Sequence, residues 1–376
     1  MARTSVLPTD PQTRKAWAMK VASDSVKDQY WAKHIGPEGS NSMVIRKTDL
    51  EKGAGDEVTT TLVAKLRGAP VTSGVKLAGK EMKLDFATHK MRIDVLRQGV
   101  NVGTKMDQKR VDMNLQQQGR DRLKDYISEL YEEHFAAAAA GARGVSTLEF
   151  QHLGLDYAGY PNALRAPDTA HLFVGTDGSK AKATMTASDK ITLTTLNALQ
   201  VKASKMLGGI QDGKAAKIEM IKRDGQNVYV MVVLPEVLQD LRNDSGTQGW
   251  VAMQTALTTA VGRDSDLIKG GAGLYNKTVI DKCDVGVKFN DYGSGSNVLA
   301  ARSIFAGANC LAVTHGTKGM KDGMSVELTE DSDDRGYEDI INFMLIFGVD
   351  KTAYAGMDYG MVTVDTAYTL SAGATI

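Results

Sequence analysis

The residues that could do chemistry are few and far apart. Six histidines, His34, His89, His134, His152, His171 and His315, are scattered through 376 residues. A zinc hydrolase of the common helical type needs two of them four residues apart with a glutamate between, and no His-Glu-x-x-His is present. No Gly-x-Ser-x-Gly turn offers a serine nucleophile. The stretch KGGAGLYNKT at 269–278 has the glycines and the Lys-Thr of a phosphate-cradling loop. Asn276 stands where such a loop needs glycine for close backbone approach, so the stretch reads as an ordinary loop. YGSGSN at 292–297 lacks the third glycine of a dinucleotide fingerprint. Asp331, Asp333, Asp334 and Gly336 copy the front of a calcium loop, but Arg335 and Asn342 fill positions that need Asp or Asn and Glu. A solvated acidic loop is expected there. Cys283 and Cys310 have no metal-like spacing and read as reduced thiols of a reducing compartment. These readings predict no catalytic residue, no cofactor and no metal.

The totals narrow the class further. Lys plus Arg and Asp plus Glu are both 45, so the formal net charge is zero, unlike a chain built for strong nonspecific nucleic-acid binding. Hydrophobic content of 42% supports a large core, and the length suits two or three domains. The opening MARTSVLPTDPQTRK has no apolar signal core, and no run of 18 apolar residues occurs, so no export signal and no membrane span are expected.

The elements that must position any site are unusual. Thr104 to Gly141 reads as one long helix, opened by a capping-box pattern of Thr104 with Asp107 and closed by Gly141. Val111, Leu115, Gly119, Leu123, Ile127, Leu130 and His134 make one stripe at helical spacing. Such a helix spans roughly 55 Å. It is either a bundle helix or a spine that crosses a flat, elongated subunit. Before it, residues 53–100 alternate with period two around the loop RGAPVTSGV, which predicts a long hairpin with a bulge near Gly79 to Glu81. The hairpin carries Lys65, Arg67, Lys76, Lys80, Lys83 and Lys90. An isolated hairpin is marginally stable in water, so this one must lie on its own domain or on another chain. Residues 1–52 are polar, with Trp17 and Tyr30 too sparse for a core. They read as a frayed leader or as an arm that orders against another chain.

After the helix, residues 144–190 are loop-rich. Asp189 to Leu207 reads as a helix, Ile218 to Ile221 and Val228 to Leu234 as paired strands, and VYVMVVL as a central buried strand. Helices are expected at Pro235, over Trp250 to Val261 and over Val298 to Cys310. Strands are expected over Thr278 to Phe289, Asp339 to Phe347, Met361 to Val364 and Tyr368 to Leu370. Strands and helices mix without a βαβ repeat, which makes the class α+β.

The order of arm, long hairpin, spine helix and α+β body resembles a tailed-bacteriophage major capsid protein of the Hong Kong 97-type fold. KTDLEKGAGDEVTTTLVAKLRGAPV and GKEMKLDFATHKMRIDVLRQGVNVGTKMDQKRVDMNL are similar to the coat proteins of Enquatro-type podophages, as are VVLPEVLQDLRND, LIKGGAGLYNKTVI and ARSIFAGANCLAVTHG. These cover roughly 47–141 and 228–350; residues 1–46 and 144–190 add nothing to the resemblance.

The resemblance implies an N-terminal arm at 1–52 and an extended loop at 53–100. It implies a peripheral domain at 101–210 with the spine at 104–141, an axial domain at 211–330, and a return to the peripheral domain at 331–376. It further implies a non-enzymatic protein that assembles with itself, as hexamers and pentamers, into an icosahedral head enclosing double-stranded DNA. Portal, scaffolding and decoration proteins would be partners, with no membrane involved, and the product would be a virion assembled in the host cytoplasm. Lys65, Arg67, Lys76, Lys80, Lys83 and Lys90, with Trp17 and Tyr30 of the arm, are the expected contacts between subunits. The alternatives are an encapsulin-like bacterial shell protein of the same fold around an enzyme cargo, and a soluble enzyme of unrecognised type.

Overall fold

A computed structural model describes residues 29–63, 66, 69–206, 215–223, 225–244, 250, 273–317, 325–333 and 336–370. Trp17, Lys65, Arg67, and the helix expected beyond Trp250 lie outside the described residues.

Two sheets make the body. The first has six strands, in the order Ile35–Gly36, Val44–Lys47, Leu311–His315, Glu338–Lys351 and Val326–Asp333, with Asp94–Thr104 paired to the other side of Glu338–Lys351. The second has eight: Leu172–Val174, Met361–Ala367, Val298–Ala306, Gln226–Val233, Thr278–Lys282 and Gly273–Tyr275 in order, with Val287–Tyr292 and Ile221–Arg223 attached to its middle. Neither sheet is one continuous piece of chain. Met361–Ala367 leaves the first sheet's side of the body and inserts in the second.

The apolar run Val228–Val233 is the central strand its composition demands. It is buried throughout and bonds to Thr278–Lys282 on one side and to Val298–Ala306 on the other. The expected helix over Val298 to Cys310 is instead the strand Val298–Ala306. Its alanines mimic helix-forming composition, but ladders run along both edges and burial on both faces removes any alternation. Thr278 to Phe289 is two strands rather than one. Tyr368 to Leu370 forms no strand. Helices Leu193–Lys205 and Pro235–Arg242 cover the second sheet, packing Leu196, Leu199, Val237 and Leu241 on Tyr229, Met231 and Phe305. Pro235 opens the shorter one at a position where its missing N–H costs nothing.

The long helix is shorter than its stripe suggests. Lys105–Arg110 is a separate turn of helix with the Thr104–Asp107 capping box in place. The chain then extends through Val111, and Asn114 starts a second helix, Leu115–Ala140, by accepting from the Gln117 amide at 3.1 Å. At 26 residues this helix is about 39 Å long. It lies across the six-stranded sheet. Gly119 marks a close crossing, because a Cβ there would stand 3.4 Å from Ile341 and Val102. Ala136 to Ala140 are all buried, and their small side chains let the helix end press between the two sheets. Gly141 closes it in the left-handed conformation at φ 65°, its amide bonding the Ala137 carbonyl at 2.9 Å.

Candidate assembly interface

The hairpin has two unlike halves. Its base is a regular antiparallel ladder of Glu57–Val63 with Phe86–Arg92. Along the second strand Ala87, His89 and Met91 face inward and are buried, while Phe86, Thr88, Lys90 and Arg92 face out. The inner face lies on the hairpin's own body, where the His89 ring meets Tyr354 edge-on at 6.2 Å. His89 Nε2 stands 3.6 Å from Asp350, which also accepts from Arg165 at 2.8 Å. Burial and the nearby Arg165 charge push His89 down to about 4. Burial pushes Asp350 up to about 6 against the pull of Arg165.

Beyond Val63 the ladder stops. Residues 69–85 hold no strand, so the bulge expected near Gly79 to Glu81 has no ladder to sit in. Two tight turns order this part: the Val75 amide bonds the Thr72 carbonyl at 3.2 Å and the Lys80 amide bonds the Leu77 carbonyl at 2.9 Å. Val63, Leu66, Val75, Met82 and Leu84 are exposed, Leu77 is 59% exposed and Phe86 57%. This stretch presents seven of the fifteen exposed large apolar side chains among the described residues. Lys76, Lys80 and Lys83 lie among them and are exposed too. Lys90 differs, for it belongs to the base and pairs with Glu57 across the ladder at 2.8 Å, beside Arg92 at 3.1 Å. The structure thus gives Lys90 a partner inside its own chain.

Tyr30 is also held inside the subunit. Its amide donates to Glu132 of the long helix, and its ring packs at 5.4 Å on Trp31, which stacks on Phe135 at 5.7 Å. Lys33 lies over the Tyr30 ring at 4.3 Å and pairs with the buried Asp281 at 3.1 Å. From there the chain enters the first sheet as Val44–Lys47, so this segment straps the two sheets together. Trp31, fully buried and stacked on Phe135, fills the core here, a role the sparse aromatics of the sequence do not announce.

Several buried charged groups of the body are paired within it. Arg302 makes a two-pronged contact with Asp365 at 2.7 Å and also donates to the Ala140 carbonyl at 2.9 Å, which ties the helix end to the second sheet. Lys351 bonds Asp358 at 2.7 Å with both side chains buried. Burial pushes Asp168 up, but hydrogen bonds from His171 and the Asp358 amide outweigh it and hold this carboxyl well below the usual range. Glu133 is a buried carboxylate that accepts from His152 at 2.8 Å and from the amides of Gln151, His152 and Leu153. Each of these charges has a partner, as burial requires. Among the described residues no cluster of three His, Cys, Asp or Glu could hold a metal. Asn276 and Lys277, at the end of the phosphate-loop look-alike, are the left-handed turn between strands Gly273–Tyr275 and Thr278–Lys282. Asp331 and Asp333 lie on the strand Val326–Asp333 rather than in a loop. Among the described residues no helix is long and apolar enough to cross a membrane.

The exposed apolar and basic hairpin is the part of the subunit that association would cover. The chain belongs to the phage capsid protein family, whose model matches residues 4–370. Its role is that of a structural, major capsid protein of a phage head, and its first partner is itself, in the shell. It is similar to the solved capsid protein of Ralstonia phage GP4, at 34% identity over 98% of this chain and 99% of that one, with a TM-score of 0.79. The capsid protein of cyanophage Pam1 shares the fold at 20% identity over 91% and 93% of the two chains, TM-score 0.68. That of Helicobacter pylori bacteriophage KHP30 does so at 12% identity over 90% and 92%, TM-score 0.63. No curated protein sequence matches the chain.

Proposed function

We propose that the chain builds a closed icosahedral shell around double-stranded DNA in a tailed-phage head, assembled in the host cytoplasm, and that it does so without enzymatic activity. The observation that carries this reading is the distal hairpin, where Leu66, Val75, Leu77, Met82 and Leu84 are exposed among the described residues. Monomeric proteins rarely leave such a contiguous patch open. In this reading the part of the 53–100 loop beyond the base ladder lies on a neighbouring subunit, and Lys65, Arg67, Lys76, Lys80 and Lys83 set the orientation of that contact. Residues 101–210 and 331–376 supply most of a peripheral unit around the long helix. Residues 211–330 supply most of an axial unit whose tips meet at capsomer centres. Of residues 1–52, the part before Tyr30 is an arm whose basic character suits the DNA-facing side, while Trp31 and Val44–Lys47 belong to the body. A portal protein closes one vertex, and scaffolding and decoration proteins are further partners. Zero net charge lets many copies crowd together with little mutual repulsion.

Negative-stain electron microscopy and light scattering across salt and protein concentration test the reading. Closed particles, or rings of five or six subunits, are expected. A monodisperse monomer under every condition, with scaffold supplied, would overturn it.

A further inference from the structure

We propose that Asn162 is a positioning residue that fixes the angle at which the hairpin leaves the body; its consequence for particle geometry, though not the angle itself, rests on the shell reading above. The hairpin departs at Ile93, between two strands that belong to different sheets. Phe86–Arg92 pairs only with Glu57–Val63, whereas Asp94–Thr104 pairs with Glu338–Lys351. The last rung of the hairpin is the Ile93 amide on the Asp56 carbonyl at 3.0 Å. A single rung at a chain crossing leaves the torsions around Ile93 free to swing unless something else holds them.

Asn162 holds them. Its Oδ1 accepts from the Arg92 amide at 2.8 Å, and its Nδ2 donates to the Arg92 carbonyl at 2.9 Å and to the Val349 carbonyl at 3.1 Å. A side-chain amide offers one acceptor and two donors. Here all of them are used, on backbone groups of both sheets at once. At Arg92 the amide replaces a third strand, bonding both outward backbone groups as a ladder partner does. Gly348 lets the joint close, since a Cβ there would stand 2.1 Å from the Arg92 carbonyl oxygen. The root of the hairpin therefore rests on bare backbone, gripped by one side chain from an otherwise irregular loop. The competing account is that packing of Ala87, His89 and Met91 on the body sets the angle unaided.

The two accounts separate in the dilute, full-length subunit. Spin labels at Ser73→Cys near the hairpin tip and Asp121→Cys on the long helix report the tip-to-body distance by pulsed electron resonance. Both positions are exposed. Cys283 and Cys310 are buried thiols that burial pushes up to about 12, so they stay unlabelled. Asn162→Ala is expected to broaden the distance distribution. Asn162→Asp keeps the acceptor but cannot donate to Arg92 and Val349, so it should broaden the distribution likewise. Gly348→Ala wedges the joint and is expected to shift the mean. The thermal midpoint of Asn162→Ala should stay close to that of the parent, which a merely structural role would not leave in place while the distances change. Particles from the variants should be mixed in size. An unchanged distribution in Asn162→Ala overturns the proposal, even if Gly348→Ala fails to fold. A broadened distribution in a chain whose parent never forms particles supports the joint while removing the shell reading.

Discussion

The base and the tip of the hairpin are one stretch of chain with opposite fates. At the base, alternation has a partner face: Ala87, His89 and Met91 are buried on the body and the outer residues are exposed. At the tip, side chains of both parities are exposed, from Val75 and Leu77 to Met82 and Leu84. Composition does not separate the two halves, because both mix lysines with large apolar residues. What separates them is that one half finds its cover inside the subunit. Each large apolar side chain taken from water stabilises by about 1.5–3 kcal/mol. The base realises that gain on folding, and the tip keeps it for association.

The largest expected effect breaks the tip without touching the base. Leu77→Ser, Met82→Ser and Leu84→Ser together should abolish particles under all the conditions in which the parent assembles. Each site should change subunit stability by less than about 0.5 kcal/mol, since surface changes away from packed features cost little. Sedimentation velocity and urea unfolding on the same samples check both halves of that statement. A loss of stability equal to that of a core variant would show that the tip is covered within the subunit. The converse is Met91→Ala at the base. Met91 is 2% exposed, so this truncation should cost about 2–5 kcal/mol, seen as a lower urea midpoint with an unchanged slope. A smaller effect follows from charge. Lys76→Glu with Lys80→Glu should raise the protein concentration at which light scattering begins, most strongly at low salt, and flatten its salt dependence. An unaltered salt dependence would remove these lysines from the contact.

How much of this was readable in advance depends on whether the decisive contact is local. The Thr104–Asp107 box, the Gly141 cap and the all-apolar Val228–Val233 run are local signals, and each stands where the residues place it. The break at Val111 to Asn114 is local as well. Asn114 three residues before Gln117 is a helix start, but a stripe drawn through Val111 and Leu115 passes over it. Val298–Ala306 was misread because a strand buried on both faces has no period. The two halves of the hairpin cannot be told apart from sequence, because the base is defined by Tyr354 and Asp350, more than 250 residues away in the chain. Asn162 is a lone asparagine in a stretch that adds nothing to the family resemblance; only the meeting of Arg92 with Val349 gives it a role.

The smallest expected effect concerns the base alone and turns on sign. His89 takes up its proton near 4 in the folded chain instead of 6.5, so its stabilising share is complete above 6.5 and is lost as pH falls toward 4. Asp350 takes up its proton near 6 instead of 3.8, so its share is complete below 3.8 and is lost as pH rises through 6. Across the shared window the two oppose each other and the base is nearly indifferent to pH. The charges that face His89 are those of Arg165 and Lys47. His89→Gln removes the first share and keeps the second. The stability of this variant relative to the parent should therefore rise as pH falls from 6.5 to 4, by on the order of 1–3 kcal/mol. His134 and His315, which burial also pushes down to about 4, act in both proteins and drop out of the difference. Urea midpoints at four or five pH values across the window measure it. A hairpin whose base was held as loosely as its tip would leave His89 and Asp350 in water, and the difference would be flat.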